Sequence, residues 1–318
     1  MREVDHLDGI QLNPGDNVSV ALGVFDGVHR AHQALVLECV RSAREIGGVA
    51  AVFTFRNHPA EVLLPNENLS LLTPHSVKRE ILAELGVDLL VAPPFDRALA
   101  EIAPKEFVES ILGQRLMARR IYAGFNFRFG KGGRGDAAML QSYQGRLFER
   151  VHIVPMMKYD GLPLSSTRIR EAVQAGDLDA VEAMLGRRYR LAGRVVTGDA
   201  RGRILGFPTA NLDIGKQTLP REGIYGARVF FQSTASKGVK GLLYIGSAPS
   251  FRQGPEPAPV RVEVFLMDWE GDLYNRDLFV EILCPIREDR FFENPSDLVR
   301  QIKKDRDFFL AWLEKNPA

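Results

Sequence analysis

The sequence predicts an α/β domain on a parallel, doubly wound sheet, followed by a small antiparallel β-barrel with a terminal helix. The first half alternates short apolar runs with amphipathic stretches at helical spacing, the pattern of successive βαβ units. Beyond Gly186 it changes to short strands of alternating character separated by turn residues. The chain has 318 residues, long for one compact core, so two domains are expected, 1–186 and 187–318.

In chain order, Val18 to Val24 reads as a buried strand that ends in the turn Phe25-Asp26-Gly27. A helix follows from about His32, with Leu35, Val36, Cys39, Val40 and Ala43 on one face and Gly47-Gly48 ending it. Val49 to Phe55 is the next strand. Thr73 reads as an N-cap and Pro74 as the first-turn proline of a helix through Val77, Ile81, Leu82 and Leu85, which Gly86 stops. Val87 to Val91 is strand, Pro104 to Leu112 helix, and Arg120 to Phe125 and Val151 to Pro155 complete the strands. Ser166 and Thr167 are placed to cap a helix that Gly176 ends, and Asp177 opens another. In the second half the strands are Tyr189 to Thr197, Gly226 to Phe231, Gly241 to Ile245, Val260 to Met267 and Leu278 to Leu283. Asn294-Pro295 starts a last helix with Leu298, Ile302, Phe309 and Leu313 as its apolar stripe.

Composition narrows the classes of function. With 45% hydrophobic and 25% charged residues and a formal net charge of +1, nothing favours nucleic acid or an anionic membrane as partner. The two cysteines, Cys39 and Cys284, lie in apolar surroundings and read as buried thiols. No apolar run reaches membrane-spanning length and the first residues lack a signal-peptide core, so a cytoplasmic protein is expected.

Two stretches carry chemistry. Ligands of doubly wound sheets sit at the carboxyl ends of the strands, where the chain places Gly23 to His32. His29 and His32, three apart at a helix start, can stand with helix N–H groups against a triphosphate; a structural histidine pair has the same spacing. The second stretch is GDARGRILGFPTANL, Gly198 to Leu212. Gly198, Gly202 and Gly206 permit a tight anion-binding turn, with Asp199, Arg201 and Arg203 among them. Thr209 and Asn211 then offer oxygen ligands suited to Mg²⁺. A polar loop between strands could share this composition, but the spacing fits neither GxxxxGK[ST] nor GxGxxG. Glu263, in VRVEVFLMD, has the charge and strand position of a general base, although a strand glutamate is commonly just solvated.

The Gly198 stretch resembles the flavokinase signature of bacterial bifunctional riboflavin kinase/FAD synthetase, and the rest of the chain follows it. GVFDGVHRAHQ resembles the nucleotidyltransferase motif of the FAD synthetase module, with Ala31 where the family has glycine. TFRNHPAEVLLP resembles its TFxPHP segment, with Asn57 for proline. GFNFRFGKGGRGD resembles its flavin- and nucleotide-binding loop, and LSSTRIREAVQAGDLDAVEAMLGRRY its closing stretch. Tyr244-Ile245-Gly246, Ala248-Pro249-Ser250 and Tyr274-Asn275-Arg276 depart from the kinase pattern near the flavin-side loops.

The resemblance implies a Rossmann-like FMN adenylyltransferase domain and a riboflavin kinase barrel. ATP is implied as co-substrate, Mg²⁺ as cofactor, and riboflavin, FMN, FAD and ADP as the remaining ligands. Glu263 becomes the base that activates riboflavin, with Thr209 and Asn211 at the metal. Gly198, Gly202, Arg203 and Gly206 take the phosphates of the kinase site. His29 and His32 serve adenylyl transfer, with Gly23, Phe25, Asp26, Gly27, Asn126, Ser166, Thr167 and Arg168 around the nucleotide. Two rival readings keep the scaffold: a kinase with a weak or inactive N-terminal domain, and a non-catalytic flavin or nucleotide sensor. The products formed from riboflavin and ATP separate them. Oligomeric state stays open.

Overall fold

The computed structural model describes residues 1–13, 15–67, 69–198, 202, 206–231, 238–247 and 260–316. The chain divides into two compact units, Met1–Arg168 and Ile169–Ala318.

The first unit is built on a six-stranded parallel sheet. Its strands are β1 (Arg2–Val4), β2 (Val18–Leu22), β3 (Val49–Phe53), β4 (Leu89–Val91), β5 (Ala118–Gly124) and β6 (Arg150–Val154), in the order β1-β4-β3-β2-β5-β6. Every pairing is parallel. β2 is buried along its whole length, as expected of a central strand covered on both faces. Helix α1 (Arg30–Glu45) buries Leu35, Val36, Cys39 and Ala43, close to the stripe the periodicity predicts. Further along come α2 (Ala60–Leu63), α3 (His75–Glu84), α4 (Arg97–Ala100), α5 (Pro104–Glu106) and α6 (Ala137–Gln141). From Phe107 to Arg115 the expected α-helix continues as a π-helix, burying Phe107, Val108, Ile111 and Leu112 in the sheet's core.

Two local expectations are corrected and one strand is added. Pro74, with extended backbone (φ −63°, ψ 159°), is the N-cap of α3, and Thr73 lies one residue outside. In α7 (Ser166–Ala175) the capping acceptor is Ser165, whose Oγ takes the Arg168 N–H at 3.3 Å, because Ser166 is drawn to another partner. Strand β1 has no sequence signal beyond three residues; its pairing with β4 creates it. After the short hairpin β7 (Lys158–Tyr159) and β8 (Leu162–Pro163), α8 (Leu178–Leu185) ends at Gly186 in the left-handed region, φ 72°.

The second unit contains a closed antiparallel barrel of β9 (Arg190–Val196), β10 (Thr209–Asp213), β11 (Gly223–Phe230), β12 (Val239–Gly246), β13 (Arg261–Leu266) and β14 (Asp277–Glu288). The order around it is β10-β13-β12-β11-β14-β9. Strict alternation on β13 buries Val262, Val264 and Leu266 and turns Arg261, Glu263 and Phe265 outward. β10 repeats this, with Ala210 and Leu212 inward and Thr209 and Asn211 outward.

Helix α9 (Pro295–Lys315) packs on the outside of the barrel. Phe309 is fully buried against Leu242, Met267, Leu283 and Cys284. Gly226 makes room: a Cβ there would lie 2.2 Å from the Phe309 ring. Arg287 Nε donates to both carboxylate oxygens of the buried Asp305, at 3.1 and 3.0 Å, and Gln301 adds a bond of 2.7 Å. Phe309→Ala is expected to destabilise this unit by about 3–5 kcal/mol, read as an earlier urea transition in Trp312 fluorescence.

Candidate active sites on the sheet and on the barrel

The strand order reverses at β2, which has β3 on one side and β5 on the other, so the crevice of the sheet opens beyond the β2 carboxyl end. The chain turns there through Phe25 (φ 54°), Gly27 (φ 85°) and Val28 (φ 38°). Positive φ is ordinary for glycine but strained for phenylalanine and for β-branched valine. The surroundings hold the turn in place. The Asp26 carboxylate accepts the N–H of Leu72 at 3.1 Å and of Thr73 at 3.0 Å. Ser166 Oγ donates to the Asp26 carbonyl at 2.8 Å, which is why it does not cap its helix. Thr54 Oγ1 donates to the Val24 carbonyl at 2.9 Å, and Gln33 Nε2 to that of Val28 at 2.7 Å. Asp26 is thus the anchor of the turn. Gly23 lets the buried Phe25 ring lie close, 3.0 Å from where a Cβ would be.

The turn delivers His29 to the N-cap of α1, where its Nδ1 accepts the His32 N–H at 3.4 Å. The two imidazoles stack with centroids 3.6 Å apart and planes 15° from parallel, and Phe25 meets His32 edge-on at 5.2 Å. An accepting Nδ1 on His29 leaves the neutral ring its proton on Nε2. Burial, with the charges of His29 and Lys78, holds His32 well below its ordinary 6.5. The direction of that shift keeps His32 neutral, and the pair stands at a helix N-terminus, a setting that receives phosphate.

The other predicted residues of this unit differ in their freedom. Asn126 is exposed just past β5, beside Gly124. Thr167 sits in the first turn of α7. Arg168 is engaged by the β7–β8 hairpin: its Nη1 donates to the Tyr159 carbonyl, and the guanidinium lies 5.2 Å over the Tyr159 ring. Asn57, the departure from proline, bridges to Phe95, donating to its carbonyl at 3.0 Å and accepting its N–H at 2.7 Å.

On the barrel, Asn211 stands opposite Glu263 in the β10–β13 register, and Glu263 opposite Tyr244 of β12. Thr209, two residues from Asn211 and on the same outer face, donates from Oγ1 to Glu263 Oε2 at 2.9 Å. The glycines approach closely. A Cβ on Gly198 would lie 2.1 Å from the Asn211 amide, and one on Gly202 3.1 Å from Thr209 Oγ1. Gly206 has φ 81°. A cleft of about 420 Å³ opens beside them, lined by Thr197, Gly198, Asn211, Asp213, Gln217 and Arg261 among others. Gly198, Gly202, Thr209, Asn211 and Glu263 thus share one neighbourhood; Arg203, Asp199, Arg201 and Ala248-Pro249-Ser250 lie outside the described residues. Among the described residues no group of three or more His, Cys, Asp or Glu side chains gathers as a metal site.

A parallel sheet with a histidine pair at its switch point, and a barrel with a glycine-lined cleft beside a hydroxyl, an amide and a carboxylate, define a two-site nucleotide-handling enzyme. The FAD synthetase family matches residues 13–168 and the riboflavin kinase family residues 185–313. Bifunctional riboflavin kinase/FMN adenylyltransferases from Listeria monocytogenes and Escherichia coli K12 are 32% and 31% identical. The alignments cover 94% of this chain and 93% of the first relative, and 97% and 98% for the second. The Bacillus subtilis protein of that name is 33% identical over 90% of both chains. This chain belongs to the bifunctional riboflavin kinase/FMN adenylyltransferase family. A crystal structure described as a macrolide-efflux protein from Streptococcus pneumoniae matches with a TM-score of 0.80 and 28% identity, covering 100% of this chain and 99% of that one. Among the described residues no helix is long and apolar enough to cross a membrane.

Sequence reasoning missed Lys78, buried on α3 behind the histidine pair, because a lysine in an amphipathic helix reads as solvated. Its signal was its place on the apolar stripe, one residue after Val77 and three before Ile81. Asp26→Ala is expected to strand the Leu72 and Thr73 N–H groups, costing about 1–3 kcal/mol for each buried donor. The N-terminal unit should melt earlier and FAD formation fall, while riboflavin phosphorylation continues.

Proposed function

We propose that the barrel phosphorylates riboflavin at the Glu263 site and that the sheet domain adenylylates the resulting FMN at the His29–His32 site. The observation that carries this is the juxtaposition set by the β10–β13 register, with Asn211 opposite Glu263 and Thr209 Oγ1 2.9 Å from the Glu263 carboxylate. In the first reaction the riboflavin 5′-hydroxyl oxygen bonds to the γ-phosphorus of ATP, the bond to ADP breaks, and the hydroxyl proton passes to Glu263. The Thr209 bond aims the carboxylate before substrate arrives, which suits a general base. Thr209 Oγ1 and the Asn211 carbonyl are hard oxygen donors, and Gly198 brings main chain against the same amide, so these residues fit Mg²⁺. When bound, the ion would supply charge neutralisation at the phosphates. Gly202 and Gly206, with Arg203, are assigned to the phosphates.

In the second reaction a phosphate oxygen of FMN bonds to the α-phosphorus of ATP and pyrophosphate leaves. His29 and His32 donate to the charge that develops, with the N–H groups at the start of α1. Gly23, Phe25, Asp26 and Gly27 shape the turn that holds the pair. Asn126, Ser166, Thr167 and Arg168 are assigned to the nucleotide around it. The two free, buried thiols, Cys39 and Cys284, support a cytoplasmic enzyme.

Glu263→Gln should slow FMN formation by roughly two to four orders of magnitude, the range for a lost general base. FAD formation from supplied FMN should hold its rate; an equal loss in both would indicate misfolding. The boundary we assign to the catalytic units, after Gly186, predicts that a fragment from Leu185 onward folds and phosphorylates riboflavin. The measurement is circular dichroism with chromatography of the flavin products. A longer fragment from Ile169, the edge of the compact unit, is the comparison.

A further inference from the structure

We propose that Lys78 is a positioning residue for adenylyl transfer: its buried ammonium ties the ends of β2 and β3 together and stands behind the stacked His29 and His32. The inference rests on reading this site as the adenylyltransferase. Lys78 is 5% exposed, and its Nζ donates to the Val24 carbonyl at 3.0 Å and the Phe55 carbonyl at 3.2 Å. Val24 immediately precedes the strained turn, and Phe55 follows β3. Both contacts are main-chain carbonyls, so among the described residues no carboxylate meets the buried charge at contact distance. Removing an ammonium from water is costly, and simple helix packing would be served by leucine or methionine.

The segment that carries Lys78 grips the turn from a second point, because Leu72 and Thr73 donate to Asp26. A single stretch of chain, Leu72 to Lys78, thus holds the turn at Val24 and at Asp26. Displacement of either end would swing His29 off the N-cap. The charges around Lys78 are Asp26 in the turn and His29 and His32 at α1, with His75 on its own helix. Glu3 of β1 bonds His75, and Arg56 lies beyond β3. Burial lowers the Lys78 amine to about 8, with Asp26 opposing the shift. Below that pH the ammonium disfavours a proton on His32.

The test uses the full chain, with riboflavin phosphorylation as internal control. Lys78→Met removes charge and donors; Lys78→Gln keeps an N–H donor without charge. FMN adenylylation by Lys78→Met should lose about 100-fold in kcat, the scale of an ångström-level misplacement, with a smaller change in KM for ATP. Lys78→Gln should regain part of that loss. In both variants the acid limb of the FAD-forming pH profile should move to higher pH, because a like charge near His32 is gone. A purely structural tie would leave that limb in place. In the wild-type chain, the His32 imidazole resonance should shift a second time near pH 8 as Lys78 loses its proton. Wild-type rates in Lys78→Met, an unmoved acid limb, or a His32 resonance flat through pH 8 would each overturn the proposal. A wild-type chain that makes FMN but no FAD would instead overturn the underlying reading of the site.

Discussion

The hydrogen bonds from the Leu72 and Thr73 amides to the Asp26 carboxylate are the contact on which the N-terminal site depends. The turn they hold places phenylalanine and valine at positive φ, a conformation an isolated chain would abandon. A carboxylate accepting main-chain N–H groups in a buried setting is a strong acceptor, and Thr54, Ser166 and Gln33 pin the turn's carbonyls from other sides. The result is a rigid entry into α1 with His29 at its cap and its ring on His32. Strain in the backbone is thereby converted into a preset orientation of two imidazoles.

The barrel reaches a preset geometry by another route, strand register. Thr209, Asn211 and Glu263 meet because side chains alternate along β10 and β13 and the closed barrel leaves no edge along which a strand could slip. A one-residue slip of β10 would turn Thr209 and Asn211 inward, away from Glu263, and expose Ala210 and Leu212. The glycines of the preceding stretch then matter for approach as much as for flexibility. Side chains at Gly198 or Gly202 would occupy the space now taken by Asn211 and by the Phe207 carbonyl. The site lies on the outer wall, so the interior remains a packed core and α9 covers a different part of the surface through Phe309 and the Arg287–Asp305 pair.

The central strands of the sheet, the stripe of α1, the barrel strands β9, β11, β12, β13 and β14, and the last helix were all legible from period and punctuation, because burial on one or both faces writes itself into residue spacing. The motif stretches were marked by glycines, a histidine pair and a Thr-x-Asn step, but a structural histidine pair or a polar loop could share those spacings, so it was the resemblance along the whole chain that singled them out. Elements shaped by partners were not. β1 exists because β4 offers an edge, and β10 is hidden in the polar glycine motif, where only pairing with β9 and β13 makes it a strand. Ser166 carries the right chemistry for a cap, yet a tertiary contact spends its hydroxyl on the Asp26 carbonyl, and at Thr73 the helix starts one residue later, with Pro74 as its N-cap.

The sequence by itself therefore determined the fold class and picked out the stretches that carry both candidate sites, because hydrophobic period and motif chemistry are local properties of the chain. The tertiary structure decided what those residues do. Asp26 became an anchor, Arg168 a clasp on the β7–β8 hairpin, and Lys78 a buried cation behind the histidines. Such roles arise from hydrogen bonds and charges between segments up to 140 positions apart, which no local pattern encodes.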